Sequence, residues 1–521
     1  MASPPGILRL SNELLREILD HIEADPEKLI NLDRRAYLSQ ESFRPPPVPA
    51  RNQALDLGHF RLTCRRFSEL GAIHQFARVT TRFSQKGFVR LENIASQPHL
   101  AQHVKKFSYM VPYFYVEGRE RIREIGLPQF QESVGVLDVR NFMKKVNDQK
   151  RIVQTGEDQR VLKKAISAFT SLQHVQILRV QDREDDLLLQ YIRQRNDLTQ
   201  LVELRWAPAC SHCTKTIGAA LLEARSPCSR FSSPMLSPQS AIVLAEHPAK
   251  SFATLFERLT CLELHFDDGI DLDNKMRDLS GLFKTVFSAA KNMQAVHVGF
   301  PSHRPLTLKL EELFHNVKWE KLLAFGIQAW KLDAEEIIAL ARRHRVTMKG
   351  LRLRDVLLKD GSLWKDVLGY LHDDMLRLDW VSLRRIGYSK HFDEQWAAAG
   401  AEVPDDPPGG ASDSDDESDE LDFDPTPDAT NGGDNDFTMH DDSDDSSDDT
   451  DDDHGPAANA MEFPPLMPDT PSSVWCNCNG RSAYPESKED LGDDGVYVSN
   501  AQRKLWERWV VRRCPEHDSQ K

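Results

Sequence analysis

The feature that most constrains this chain is a recurring pattern, apolar-x-x-apolar-x-apolar. It stands at Leu259/Leu262/Leu264, Met293/Val296/Val298, Leu322/Phe325/Ile327, Met348/Leu351/Leu353 and Leu378/Val381/Leu383. The first positions step by 34, 29, 26 and 30 residues. An earlier match lies at Leu172/Val175/Ile177 and a weaker one at Leu201/Leu204/Trp206. The alternating last positions suit a strand with one apolar face. Between the matches run apolar residues at helical spacing. Examples are Leu279, Leu282, Phe283, Val286 and Phe287, and Ala334, Ile337, Ile338 and Ala341 after the cap Asp333. Leu363, Val367, Leu368 and Leu371 form a third stripe. One strand–helix unit cannot bury its own apolar face, so the pattern predicts stacked units: an α/β solenoid with parallel strands in one curved sheet. Phe325, Leu351 and Trp364 belong to its expected core. A doubly wound α/β domain shares the alternation. The chain has no Gly-rich strand-to-helix turn to cradle a nucleotide, and the solenoid is the preferred expectation.

Charge divides the chain. Of 521 residues, 66 are Lys or Arg and 81 are Asp or Glu. Residues 402–453 hold 23 acidic residues and no Lys or Arg, and residues 454–521 hold 10 acids and 8 bases. Residues 1–401 are left with 48 acids and 58 bases, a net of +10. A mildly basic body therefore carries an acidic tract. Residues 402–470 have few core-forming side chains and much self-repulsion, so they are expected to be disordered. Ser412, Ser414, Ser446 and Thr450 each have an acid three residues on, the spacing that acid-directed kinases resembling casein kinase II favour. The tail 472–521 regains aromatic residues. Its stretch AQRKLWERWVVRRC predicts a short basic helix with Leu505, Trp506, Trp509 and Val510 on one side.

No window of 18 apolar residues occurs, so no membrane partner is expected. The opening MASPPGILRLSNELLREIL lacks the basic-then-apolar order of a secretory signal. Eight cysteines are too sparse for a disulfide framework and are expected to be reduced, in cytoplasm or nucleus. The basic charges of the body are interspersed with acids, and no nucleic-acid recognition motif is present.

Near the N-terminus, Leu10, Leu14, Ile18 and Ile22 recur every four residues, with Leu15 and Leu19 beside them. RPPPVPA (44–50) interrupts any helix. A second helical stretch at 55–72 carries Leu57, Phe60, Cys64, Phe67 and Leu70. A third, at 73–104, carries Phe76, Val79, Phe83, Phe88, Leu91 and Ile94. The pieces LRLSNELLREIL (8–19), DLGHFRLTCRRFSELG (56–71) and FARVTTRFSQKGFVRLENIASQPHLAQHVKKFSY (76–109) together resemble fungal F-box proteins. The order of F-box and then irregular leucine-rich-repeat-like units extends the resemblance over roughly 7–395.

That resemblance implies an F-box with a following helical linker at 7–104 and a leucine-rich-repeat-like solenoid at 105–395. It further implies that the F-box lays apolar side chains into a Skp-type adaptor, which joins a cullin. Leu10, Leu14, Leu15, Ile18, Leu62, Cys64 and Phe67 match the adaptor-contacting pattern or its immediate support. Two departures stand out. Ser11 replaces the usual Pro, and about thirty extra residues (24–54) separate the two halves. The implied role is the substrate-recognition subunit of an SCF-type ubiquitin ligase, with no catalytic residues and no cofactor of its own. The repeats would hold a protein substrate, with Arg352, Arg354, Arg384 and Arg385 as its candidate contacts. A scaffold acting outside a ligase is the alternative. Residues 105–165 show little repeat, and 207–250 read as a loop insertion.

Motifs for enzyme chemistry are missing: there is no P-loop, GxSxG, HExxH or EF-hand loop. Cys210, His212, Cys213 and Cys228 have something of a zinc spacing, and Cys476, Cys478, Cys514 and His517 make a fuller set of four. In both cases free thiols are the expectation, and no metal is assigned. DDGIDLD (267–273) fails the spacing of a calcium loop and is expected to be a polar loop.

Overall fold

The computed structural model of the protein describes residues 6–22, 51–112, 139–179, 206–238, 241, 249–266, 271–392 and 485–511. The acidic tract, the 24–54 insertion apart from its end and the set Cys476, Cys478, Cys514 and His517 lie outside the described residues.

Three helices come first: α1 (Asn12–Ile22), α2 (Arg51–Thr63) and α3 (Arg65–Gln75). They enclose a small core of Leu15, Leu19, Leu57, Phe60, Phe67 and Leu70. The rings of Phe60 and Phe67 stack 4.4 Å apart. Arg66 ties this core to the preceding chain. Its guanidinium donates to the carbonyls of Leu8 (3.1 Å) and Leu10 (2.8 Å) and to Asn12 Oδ1.

An α/β region follows. Its elements are β1 (Arg78–Arg82), α4 (Gln85–Ala95), α5 (Pro98–Ala101), β2 (Lys106–Val111), α6 (Val139–Thr155), α7 (Glu157–Ala168), β3 (His174–Arg179), α8 (Trp206–Ala224) and β4 (Arg230–Leu236). Then come α9 (Ala249–Glu257), β5 (Cys261–Phe266), α10 (Leu272–Ala289), β6 (Ala295–Gly299), α11 (Leu310–Phe314), β7 (Ala324–Leu332), α12 (Ala334–Arg343), β8 (Gly350–Leu358), α13 (Trp364–Asp374), β9 (Trp380–Arg384) and β10 (Gly387–Tyr388). A last helix, α14, spans Asn500–Val510.

The ten strands form one parallel sheet in chain order. β9 pairs with the first part of β8 and β10 with its end. The α/β class and the parallel pairing agree with the alternation in the sequence, and the order never reverses as a doubly wound sheet requires. The expected solenoid, however, needs correcting. From β5 to β9 the strands begin 34, 29, 26 and 30 residues apart, but β1 to β4 begin 28, 68 and 56 apart. The β2–β3 crossover holds two described helices, α6 and α7, which breaks the one-strand, one-helix unit. The sheet is an open parallel α/β sheet and not a solenoid.

Two local expectations also fail. Residues 73–104 are not all helical, because Val79 and Thr81 are buried in alternation and make β1. A division at 104 would separate β1 from β2, which pair directly. Residues 207–250 are not mainly loop. Pro208 falls in the first turn of α8, where backbone N–H groups have no intrahelical partner to lose. The buried residues Cys210, Cys213, Ile217, Ala220 and Leu221 keep helical spacing. Pro234 lies in β4 where the register slips between Ser233 and Leu236, the bulge a proline needs inside a sheet. Trp206, the last position of the weak match, opens α8, and the rest of that match lies outside the described residues.

The apolar faces of the strands make two cores. One gathers side chains of β1–β3 with α4, α7 and α8; the other gathers β5–β9 with the helices from α10 onward. Phe231 on β4 packs against both. Phe325, Leu351 and Trp364 are buried, as the pattern predicts. The tail helix α14 is present, and it packs on α13 and β9. Trp506 and Trp509 are buried there, and the Trp509 ring stacks on His372 at 4.1 Å. Glu507 accepts the Leu383 N–H of β9, so the tail covers the last edge of the sheet.

Candidate partner-binding surfaces

In the three-helix unit, burial sorts the seven expected adaptor residues. Leu15 and Phe67 are fully inside and hold the helices together. Leu10, Ile18 and Cys64 are half-buried against that core. Leu14 is 46 % exposed and Leu62 73 % exposed. The every-fourth-residue stripe of α1 is therefore not its core face. The neighbouring pair Leu15 and Leu19 is inward, and Leu14 is left outside. Leu14 and Leu62 are thus large apolar side chains exposed beside a closed core. Arg66, to which the sequence pattern assigned no role, holds the entry to α1 in place.

The second candidate region is the sheet face turned away from the two cores, whose polar side chains are themselves largely buried. Each repeat supplies one residue of it between its last two apolar positions. Register aligns these residues in a row: Ser232, Glu263, His297, Gly326, Arg352 and Ser382. A parallel row runs from Arg78, Lys106, His174 and Arg230 through Cys261, Ala295, Ala324 and Gly350 to Trp380. A third aligns His265, Gly299, Gln328, Arg354 and Arg384. Three of the four expected substrate-contact arginines, Arg352, Arg354 and Arg384, thus share one face. The signal for the others was the polar residue inside each template, as in Val296-His297-Val298.

Small residues set the relief of this face. A Cβ on Gly326 would lie 2.5 Å from His297 Nδ1, and one on Gly350 would fall inside the Trp380 ring. These glycines let the two rings lie flat across neighbouring strands. Trp380 groups with Cys261, Ala295 and Ala324 in a small apolar patch.

Where the face meets the C-terminal ends of the strands, Ala329, Asp355 and Arg385 all take left-handed backbone angles, with φ of 55°, 51° and 47°. Each follows one of the register partners Gln328, Arg354 and Arg384, so the kink is repeated across three strands. There Arg385 Nε meets Asp355 Oδ1 at 2.7 Å, while Asp355 Oδ2 accepts from Ser302 at 2.8 Å and from Gln328 at 3.4 Å. Arg385 is thereby committed to an ion pair at the rim.

Like charge crowds this region. Burial, followed by Arg352, holds Arg354 down to about 9; Arg384 and Arg385 act the same way against the pull of Asp355. Burial, Arg352, Arg354 and His265 keep His297 well below the ordinary imidazole range. His174 is lowered likewise, by burial and then by Lys106, Arg230 and Arg78.

The cysteines at 210–228 serve packing. Cys210 and Cys213 lie inside the first core, and burial raises the Cys213 thiol well above its usual range. The Cys228 thiol donates to the Arg230 carbonyl at 3.1 Å. His212 Nε2 meets the buried Asp158 at 2.7 Å. Among the described residues no group of three or more His, Cys, Asp or Glu is placed to hold a metal ion. Asp273 of the DDGIDLD segment accepts from the Thr307 N–H and hydroxyl, which is a structural use. Nor is any described helix long and apolar enough to cross a membrane. No known protein-family model matches the chain, and no curated protein matches it.

Proposed function

We propose that the chain is the substrate-recognition subunit of an SCF-type ubiquitin ligase. Residues 6–75 dock as an F-box on a Skp-type adaptor, and through it on a cullin. The polar sheet face holds a protein substrate, and the isopeptide chemistry belongs to other subunits. The contribution of this chain is proximity, which raises the effective concentration of substrate lysines.

The observation that carries the proposal is a pair of outward apolar side chains, Leu14 on α1 and Leu62 on α2. Leu14 and Leu62 stay exposed beside a core already closed by Leu15, Leu19, Phe60 and Phe67. The monomer's core does not use these two side chains, and an apolar groove on an adaptor would bury them.

The test is co-purification from cells. Burying a leucine is worth about 1.5–3 kcal/mol. Leu14→Asp removes that burial at a site the fold does not use, so adaptor and cullin recovery should drop at least about tenfold in a protein that stays folded. Undiminished recovery in a folded Leu14→Asp, Leu62→Asp protein overturns the proposal. Leu15→Asp is the control for a collapsed cluster, because it places a charge in the core.

A further inference from the structure

We propose that Ser487 is a phosphorylation site for an acid-directed kinase, and that the phosphate releases the tail segment 485–511 from the last units of the sheet. The proposal stands apart from the adaptor assignment.

The turn that begins at Ser487 fastens the tail to the body. Trp509 Nε1 donates to the Pro485 carbonyl at 3.0 Å and Trp506 Nε1 to the Leu491 carbonyl at 2.9 Å. Both buried indoles of α14 therefore hang on residues 485–491. Leu491 is itself buried in the second core. Lys488 reaches α13, where its Nζ meets Asp366 Oδ1 at 2.8 Å. Its stem lies so close to Gly369 that a Cβ there would fall 2.9 Å from Lys488 Cδ. Through α14 the same segment covers β9, since Glu507 accepts the Leu383 N–H.

Ser487 is half-buried at the start of this turn, with Glu489 and Asp490 next but one and third along the chain. That is the acid spacing of Ser412, Ser414, Ser446 and Thr450 in the acidic tract. The Ser487 hydroxyl donates to Asp490 Oδ2 at 2.9 Å, and its N–H donates to the same oxygen at 2.9 Å. These bonds, the hydroxyl first and the N–H second, hold Asp490 below the usual carboxylate range, so it is ionised at neutral pH. The kinase transfers the γ-phosphoryl of ATP. The Oγ–P bond forms as the bond from that phosphorus to the β-phosphate's bridging oxygen breaks, ADP leaves and the hydroxyl proton passes to solvent. A group of about -1.5 to -2 charges then stands where a donor stood, against the Asp490 carboxylate. Asp366 and Asp373 of α13, whose charges already act on Lys488, add to the repulsion. Lys488 is drawn from Asp366 to the phosphate, because the larger charge attracts it more strongly. The turn thus loses its internal bond and its hold on α13 together.

The experiment uses the full chain in three forms: unmodified, with phosphoserine in place of Ser487 by genetic code expansion, and Ser487→Ala. Amide hydrogen exchange is followed by mass spectrometry. In the phosphoserine chain, peptides from α14 and β9 should exchange at least about tenfold faster, while α7 and β3 keep their rates. Ser487→Ala loses the hydroxyl without adding charge, and should speed α14 and β9 by no more than about threefold. In a second arm, a kinase resembling casein kinase II, given ATP and Mg²⁺, should phosphorylate Ser487 in the unmodified full chain, as located by mass spectrometry. Unchanged or slower exchange in α14 and β9 of the phosphoserine chain overturns the proposal. So does equal acceleration in α7 and β3, which would show a general loss of stability, or equal acceleration in Ser487→Ala, which would leave the added charge without effect. A kinase reaction that leaves Ser487 bare overturns it as well.

Discussion

The two halves of the sheet reach the same pairing by different routes. From β5 to β9 the strands start 26–34 residues apart, with compact crossovers. From β1 to β4 the intervals are 28, 68 and 56 residues. Yet from β1 to β9 every strand joins its predecessor in parallel, and the polar rows cross the junction at β4. A parallel strand needs a crossover long enough to return the chain to the open edge, and any greater length serves as well. Equal units make a sheet legible in the sequence, but they are not needed to make it continuous.

The largest expected effect tests whether the halves are separate cooperative units. Trp364 is wholly buried, donates to the Gly387 carbonyl at 3.0 Å and belongs to the second core. Trp364→Ala should cost about 3–5 kcal/mol. Because only Phe231 is described as packing on both cores, amide hydrogen exchange should quicken in β7–β9 and hold in β1–β3. Even acceleration across all strands would show one cooperative sheet and erase the distinction.

A smaller effect probes the relief found on the repeat half. Gly350→Ala places a methyl against the Trp380 ring and should cost about 1–3 kcal/mol. Gly281 in α10 has nothing within 4 Å of its added Cβ. Gly281→Ala should instead stabilise by about 0.5–1 kcal/mol. Urea melts of the two variants decide it; a neutral Gly350→Ala would mean that Trp380 does not lie across that strand.

The smallest effect is a pH dependence. His344 is held at about 4, chiefly by burial, with Arg343 and Lys318 adding to the shift while its bond to Leu340 and Glu320 oppose it. Its neutral ring suits both neighbours: Nε2 accepts the Trp319 N–H at 3.2 Å and Nδ1 donates to the Leu340 carbonyl at 3.1 Å. The unfolded chain takes up this proton near 6.5 and the folded chain only near 4. The stability from keeping His344 neutral is present above about 6.5 and is lost as pH falls toward 4. From pH 6.5 to 5.5 that loss is about 1 kcal/mol. His174 in the first half and His297 in the second shift the same way. His344→Gln should flatten part of the acid limb in denaturant titrations; an unchanged limb would place the titrating group elsewhere.

Sequence alone determined what depends on neighbours along the chain. The template fixed β5–β9, since an apolar residue on either side of a polar one in a strand commits the two faces at once. Asp333 marked the start of α12, and the Glu336 carboxylate accepts its N–H at 3.2 Å. Trp506, Trp509 and Val510 marked the buried side of α14. Arg352, Arg354 and Arg384 were legible in the same way, as polar positions alternating with the apolar members of β8 and β9.

Tertiary structure decided what depends on partners far along the chain. Periodicity could not say which of two adjacent stripes on α1 is buried, because both are apolar; only packing on Phe60 and Phe67 turns Leu15 inward and Leu14 outward. Cysteines at 210 and 213 look alike as ligands or core residues until α8 lies on the sheet. The rows that place Arg230 beside Cys261, and Arg354 beside Arg384, come from register across long crossovers. Hydrogen bonds between strands set that register, and no local spacing records it.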